Sequence, residues 1–401
     1  MKILFVNNIP FNPSFGGIER VTDILTKAFI ARGHQVYYLC NYVDENHKDM
    51  LEYNFPAKLY IMPEEGGFFS QKNIKYYESL LKELCVDLIV NQRGLQSWQN
   101  ATLLSNIKSI SVLHSMPNYA IIRACQNLLR KPSSLYEYIK YPLKFLLYPY
   151  LSNRIADIIR KELCEQYSFI AENSDAIVLL SNSYKKQFLS YIPGCTSTIV
   201  KAIYNPNTYS LQQINPEYKE KVILYVGRLE AHEKCPMRLL KIWEKLFLKH
   251  PDWKLMIVGD GSERLAMQSY IEKNGLERVC LLGRKRNLEE FYIKASIVCL
   301  TSTYEGWGMA LTEGMQFGCI PFTFDNGAST DIIDDGLNGY VIPTYNLKKY
   351  ARCLSALMFD ELKRKKMAQA AYDKSKLFDV ENVVCQWEKL CYDILNKKSD
   401  N

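Results

Sequence analysis

Two carboxylates carry the strongest chemical signal in this chain. Glu305 and Glu313 lie in the string Thr303-Tyr-Glu-Gly-Trp-Gly-Met-Ala-Leu-Thr-Glu-Gly-Met-Gln-Phe-Gly318, with seven residues between them. A carboxylate accepts two hydrogen bonds well, so either one suits a vicinal diol such as ribose. Two acids near a helix start also complement the macrodipole with no ligand involved. Gly306 and Gly308 leave the backbone bare just ahead of a run of helix formers from Met309 to Phe317, and Gly318 is a natural stop. Ala295 to Leu300, immediately upstream, is a short apolar run that reads as a buried strand. The unit is strand, glycine loop and helix, which sets a helix N-terminus at a sheet edge, where phosphate is favoured.

Further candidates sit at the ends of other short apolar runs. Val222–Val226 runs into Gly227-Arg228-Leu229-Glu230, and Lys234 follows. Lys254–Val258 ends at Gly259-Asp260-Gly261, a turn that lets a base or phosphate approach the backbone. Val279–Leu282 ends at Gly283-Arg284. In the first half, Met1–Val6 leads through a proline-containing loop to Gly16-Gly17, which opens an amphipathic helix over Ile18–Arg32. Gln35–Cys40 is a second strand, giving a βαβ opening, and G-x-G-x-x-G is absent. Asp87–Asn91, Ser109–Leu113, Ala176–Leu180 and Ile199–Ile203 continue the strand series. His114 stands at a strand end, where open α/β sheets face ligand. Ser183 is placed to cap the helix after Ala176–Leu180. Ile320–Phe324 and Tyr340–Ile342 close the series, and the chain is helical from Leu347, ending in an amphipathic helix with Trp387, Leu390, Tyr392 and Leu395. Alternating strands and helices of this kind predict parallel α/β sheets.

The whole of this pattern resembles the family-4 retaining glycosyltransferases, whose GT-B fold has two Rossmann-like domains with parallel sheets facing across a cleft. The resemblance is strongest from Val222 to Ile342. It implies an N-terminal acceptor-side domain over 1–203 and a donor domain over 204–383 that starts at Tyr204-Asn205-Pro206-Asn207. A terminal helix, about 384–401, would pack back on the first domain. It implies that Arg228 and Lys234 bind the donor pyrophosphate, together with the helix start at Gly306, Trp307, Gly308 and Met309. Glu313 would hold the ribose and Glu305 the donor-sugar hydroxyls. The loop at Gly283-Arg284 would meet the nucleobase, and Gly227 and Gly259 would line the donor. Gly16 and Gly17 would let the backbone approach donor phosphates or acceptor, and His114 would touch the donor sugar. The sequence departs from the family in two places. Ser115 follows His114 where an acid is common, and Cys235 follows Lys234 where glycine is usual.

These residues suit the chemistry. A departing nucleoside diphosphate gains negative charge as the glycosidic bond breaks, and fixed cations aimed there lower the barrier. No D-x-D or His/Asp cluster stands out, and Asp334-Asp335 reads as turn chemistry. No cofactor and no divalent metal are therefore expected, with a nucleotide-sugar donor, UDP- or GDP-linked, as the substrate. Similar enzymes act on saccharide or lipid-linked acceptors, often in bacterial surface polysaccharide synthesis. A sugar-nucleotide 2-epimerase and a catalytically silent nucleotide-binding subunit are the alternatives. The intact Arg228, Lys234, Glu305 and Glu313 argue against the silent form.

Composition sets wider bounds. The 401 residues carry a net charge of +7, which suits anionic ligands or an anionic membrane surface. No nucleic-acid-binding pattern is present. Twelve cysteines without C-x-x-C or a metal spacing read as cytosolic thiols. No secretory leader or membrane-spanning run is expected, so the protein is placed in the cytoplasm, with a peripheral position on the inner face of the membrane left open. Residues 130–161 interleave Arg130, Lys131, Lys140, Lys144, Arg154, Arg160 and Lys161 with tyrosines and Phe145, and Pro132, Pro142 and Pro149 break the stretch. It reads either as a membrane-surface patch or as a helical insertion with solvated bases.

Overall fold

The computed structural model describes residues 1–43, 45–65, 70–94, 106–128, 135–195, 198–211 and 219–396. The chain divides into two compact units. One comprises Met1–Asn12, Gly33–Ala202 and Cys391–Asn401, and the other Pro13–Arg32 and Ile203–Leu390.

The first unit is built on seven parallel strands: β1 (Lys2–Asn7), β2 (Gln35–Cys40), β3 (Lys58–Ile61), β4 (Leu88–Asn91), β5 (Lys108–Leu113), β6 (Ala176–Leu179) and β7 (Ile199–Ala202). Their order is β3-β2-β1-β4-β5-β6-β7. Helix α1 (Gly17–Ala31), which follows β1 in the chain, groups with the second unit. The strands are nearly continuous apolar runs because helices cover a parallel sheet on its faces. Helix α2 (Gln71–Leu84) shows how. Ser70 caps it by accepting from the Asn73 N–H at 3.3 Å, and Cys85 ends it in the left-handed region at φ 50°. Tyr77, Leu80, Leu81 and Leu84 then fall on one stripe and pack on Leu4, Val6, Leu39 and Ile89 of the sheet. Each such buried side chain contributes about 1.5–3 kcal/mol. Helix α3 (Tyr119–Leu128) pairs with α4 (Leu135–Glu172), and α5 (Asn182–Leu189) follows β6.

Three local expectations are corrected here. Strand β3 was not foreseen: it is a four-residue edge strand, half-exposed, with too short an apolar run to stand out. Helix α4 runs unbroken through Pro142 and Pro149. Each proline removes one backbone donor, but tertiary packing overrides propensity. Buried Leu163, Tyr167, Ile170 and Ala171 anchor the helix, and Tyr167 donates to the Pro117 carbonyl at 2.6 Å. Arg130, Lys131 and Pro132 lie outside the described residues. The cap of α5 is Ser181, whose hydroxyl accepts from the Tyr184 N–H at 3.1 Å. Ser183 lies in the first turn and shares a hydrogen bond with Ser181 instead.

The second unit holds six parallel strands in the order β10-β9-β8-β11-β12-β13. They are β8 (Glu220–Val226), β9 (Lys254–Val258), β10 (Val279–Leu281), β11 (Ala295–Cys299), β12 (Ile320–Phe324) and β13 (Tyr340–Ile342). The helices are α6 (Met237–Trp243), α7 (Arg264–Lys273), α8 (Glu289–Lys294), α9 (Met309–Gln316), α10 (Ser329–Ile332), α11 (Leu347–Phe359), α12 (Glu361–Ser375) and α13 (Val380–Leu395). Arg32, just past α1, reaches Glu381 and Glu388 of α13, each at 2.5 Å. All of β11 and β12 is buried. Among the described residues no helix is long and apolar enough to cross a membrane.

At the carboxyl edge of this sheet the loops after β8, β9 and β10 run backbone against backbone. The Gly227 N–H donates to Val258, Leu229 to Asp260, and Gly259 to Gly283, at 3.1, 2.9 and 2.9 Å. Gly259 has φ +149°, and a Cβ there would overlap the Gly227 carbonyl. Gly259→Ala is therefore expected to cost at least about 2 kcal/mol in urea unfolding. A change under about 0.5 kcal/mol would show that the loop yields.

Candidate functional site

The loop after β11 is stitched to the loop after β8. Thr303 N–H donates to the Glu233 carbonyl at 2.8 Å, and the Thr301 hydroxyl donates to the Cys235 carbonyl at 3.0 Å. This fixes Lys234 over Glu305. The Lys234 ammonium meets both carboxylate oxygens, at 2.8 and 2.7 Å, and Ser302 donates to Oε1 at 2.5 Å. Glu305 is only 7% exposed, so the pair is largely screened from water and its Coulomb term is strong. Cys235 holds the turn at φ 45°, the position where a glycine is the easier residue. Its thiol lies 2.8 Å from the Ala231 carbonyl and 3.3 Å from the Thr303 hydroxyl, contacts glycine could not make.

Arg228 stands beside this loop with its side chain 60% exposed. It is held by Glu230 at 2.7 Å and Glu233 at 2.9 Å. Tyr304 donates to the other Glu233 oxygen at 2.9 Å. The Tyr225 hydroxyl donates to the Arg228 carbonyl at 3.1 Å, and burial pushes that phenol well above its ordinary range. Both cations are thus pre-oriented by carboxylates.

Glu313, in the second turn of α9, is 1% exposed. Thr208 donates to Oε1, Tyr292 donates to Oε2 at 2.9 Å, and the Arg20 guanidinium of α1 lies 3.5 Å from Oε1. Tyr292 is itself packed between Tyr209 and Phe317. With two partners on Oε1 and one on Oε2, Oε2 has room to accept one more donor, and Oε1 gains a second if Arg20 moves away.

The remaining candidates divide. Gly308 begins α9 at φ 96° with no side-chain cap, so the helix start is presented by backbone alone. Gly17 faces Met309: a Cβ there would lie 3.8 Å from its sulfur. Arg284 reaches the Ser14 carbonyl at 2.5 Å. The Trp307 ring does not line this loop. It is stacked on Tyr204 and set edge-on to Phe378, with a buried indole nitrogen that has no partner among the described residues. Gly306 stays in the loop ahead of α9, and Gly16 is the residue before α1. His114 belongs to the first unit, where it meets Gln92. Asp334 pairs with Lys374 at 2.8 Å, and Asp335 accepts from the Val341 N–H, which is turn chemistry. No group of three or more His, Cys, Asp or Glu able to hold a metal occurs among the described residues.

Sequence reasoning passed over Arg20, Thr208, Tyr292, Glu233 and Ser302. Arg20 lies one turn beyond Gly16-Gly17, a spacing that offered a hint. Tyr292 lies in a short helix, Glu289–Lys294, and gave none. Tyr292→Phe leaves the buried Glu313 one donor short. We expect a loss of about 1.5–3 kcal/mol in denaturant unfolding. An unchanged midpoint would mean that Glu313 is held by its other partners.

The family model for glycosyl transferases group 1 matches residues 209–374, and that for glycosyltransferase family 4 matches 15–206. The amylovoran biosynthesis glycosyltransferase AmsD of Erwinia amylovora is 33% identical over 181 residues, 44% of this chain and 49% of that protein. A Campylobacter jejuni α-1,4-N-acetyl-D-galactosaminyltransferase, named for a diphospho-undecaprenol-linked saccharide, is 29% identical over 227 residues, covering 55% and 61%. The chain thus spans less than two thirds of either protein's length. An uncharacterized glycosyltransferase of Haemophilus influenzae is 24% identical over 394 residues, covering 96% and 98%. Among solved structures, Anabaena HepE with UDP-glucose superposes with a TM-score of 0.71 at 19% identity, covering 98% of this chain and 100% of that one. The pneumococcal O-GlcNAc transferase GtfA, with UDP and GlcNAc, gives 0.73 at 13% identity, covering 99% of each. At these identities the likeness is one of fold.

Proposed function

The chain belongs to the glycosyltransferases of the family-4 type with the GT-B fold, and from that premise we propose a retaining, metal-independent hexosyltransferase using a UDP- or GDP-sugar. The observation that carries the reading is the Lys234–Glu305 pair beside Arg228, next to the uncapped start of α9. In this reading the donor diphosphate takes over Lys234 and Arg228 from their carboxylates. Charge that develops on the leaving phosphate then meets two cations and a helix N-terminus already in place. Glu305, released from Lys234, accepts from donor-sugar hydroxyls. Glu313 keeps Thr208 and Tyr292 and uses its remaining acceptor positions for the ribose diol. The acceptor proton passes to the leaving phosphate on the same face, so retention needs no separate base.

The second unit takes the donor and the first takes the acceptor, a saccharide or lipid-linked saccharide of a bacterial surface polymer. The Campylobacter relative's name favours a lipid-linked acceptor, and the nucleotide named with HepE and GtfA favours UDP. On α4, Tyr150, Arg154, Ile158 and Lys161 recur at helical spacing and are all exposed, which supports a peripheral position on anionic lipid at the inner membrane face.

The test is hydrolysis of UDP-, GDP- and ADP-sugars by the full chain in EDTA, with the released sugar followed by proton NMR. One nucleotide should be released slowly, with the donor's anomer retained. Glu305→Ala and Arg228→Ala should each lower the rate by about a hundredfold or more. A requirement for a divalent metal, or an inverted anomer, would overturn the mechanism.

A further inference from the structure

The three partners of the buried Glu313 carboxylate are not equivalent. Thr208 and Tyr292 are neutral hydroxyls, each donating a hydrogen bond to a different oxygen. Arg20 is a cation and stands farther off. Its guanidinium lies 3.5 Å from Oε1, beyond the usual range of an N–H···O bond, and its side chain is 35% exposed. Among the described residues, Glu313 is the one acid within ion-pair distance of Arg20.

The placement of Arg20 follows from how two helices lie together. Gly17 of α1 faces Met309, the first residue of α9. One turn further along each helix, Arg20 meets Glu313. Glu313 needs that cation while the site is empty, because a buried carboxylate held by neutral donors alone is costly. A vicinal diol, however, bridges a carboxylate by donating to both of its oxygens. Oε2 holds Tyr292 alone and can accept a second donor, whereas Oε1 already faces Thr208 and Arg20. One partner must leave Oε1 before the diol can bridge. Arg20 is the one that gives way, since its contact is the longest of the three and water can solvate its half-exposed charge.

We propose that Arg20 is a displaceable gate on the ribose subsite, compensating Glu313 in the empty protein and competing with the ribose diol for Oε1. The inference rests on the reading that Glu313 takes the donor ribose. It makes Arg20 a residue that acts through Glu313 and sets what the diol is worth. A ligand that offers two hydroxyls can replace the cation, and one that offers none leaves the gate shut.

The test is a cycle of Arg20 variants against the diol in the full chain. UDP and GDP, each with its 2′,3′-dideoxy analogue, are titrated calorimetrically. The readout is the ratio of the affinities of a nucleotide and its analogue, which cancels what base and phosphates contribute. Arg20→Met and Arg20→Gln remove the charge and keep helix propensity, and each should raise the preference for the diol by about threefold. Arg20→Lys, which keeps the charge, should stay nearer the wild-type ratio. Glu313→Gln should remove the preference. Thermal unfolding of each variant checks that it folds. An unchanged or smaller diol preference in the two neutral variants would overturn the proposal; a residue that merely holds the helix in place shifts nucleotide and analogue alike. Failure of all four ligands to bind, or no diol preference in wild type and variants, would sink the donor reading itself and this inference with it.

Discussion

Glu305 is a carboxylate below the protein surface, and burying such a group is costly unless it is paired and hydrogen-bonded. Lys234 pairs with both oxygens and Ser302 donates to one. Breaking a buried pair of this kind typically costs about 3–5 kcal/mol, because the survivor is left charged and dry. The surrounding loops follow from that constraint. The backbone bond from Thr303 to Glu233 and the Thr301 hydroxyl's bond to the Cys235 carbonyl hold the two halves of the pair at a fixed separation. The left-handed turn at Cys235 aims the lysine.

Cationic side chains can be aimed this well only where the backbone beneath them is rigid. Here the rigidity comes from closeness rather than from side-chain packing. The loops beyond β8, β9 and β10 share three backbone hydrogen bonds, and there is no room between Gly227 and Gly259 for a Cβ. The glycines that sequence reading took as sites of ligand approach are first of all sites of chain approach. The two roles are compatible: a backbone with no side chain in the way can meet a neighbouring loop on one side and a phosphate on the other.

The strand–loop–helix unit around Glu305 was readable because its elements are local. Apolar run, glycines and helix formers follow one another within about two dozen residues, and the buried strands of both sheets stand out for the same reason. The partners of the buried carboxylates were not readable. Thr208 is 105 residues from Glu313 and Lys234 is 71 from Glu305, and only the family pattern, not periodicity, set the second pair in one site. Arg20 lies on a helix whose apolar stripe reads as core and nothing more, and Tyr292 on a short helix with no functional signal. Trp307 has a packing role that the sequence did not show. The resemblance placed it at the helix start facing the pyrophosphate, and its buried ring stacks on Tyr204 and sets edge-on to Phe378. Strand β3 and the unbroken α4 show the limit of local rules, since a short edge strand and a proline-bearing helix are both settled by what packs against them.

The charge balance of the site has a consequence for binding. Arg228 and Lys234 face three carboxylates, Glu230, Glu233 and Glu305, so the cations are already neutralised before any ligand arrives. In the proposed reading, binding a diphosphate is an exchange of anions rather than a capture of one by bare charge. An exchange discriminates better than a capture, because a weak or singly charged anion cannot displace a carboxylate held at 2.7 Å. The displaced groups are not wasted. In the proposed reading, the Glu305 oxygens that Lys234 occupies turn to the sugar hydroxyls when the diphosphate takes the lysine over. On that reading, the site ties recognition of the sugar to recognition of the leaving group.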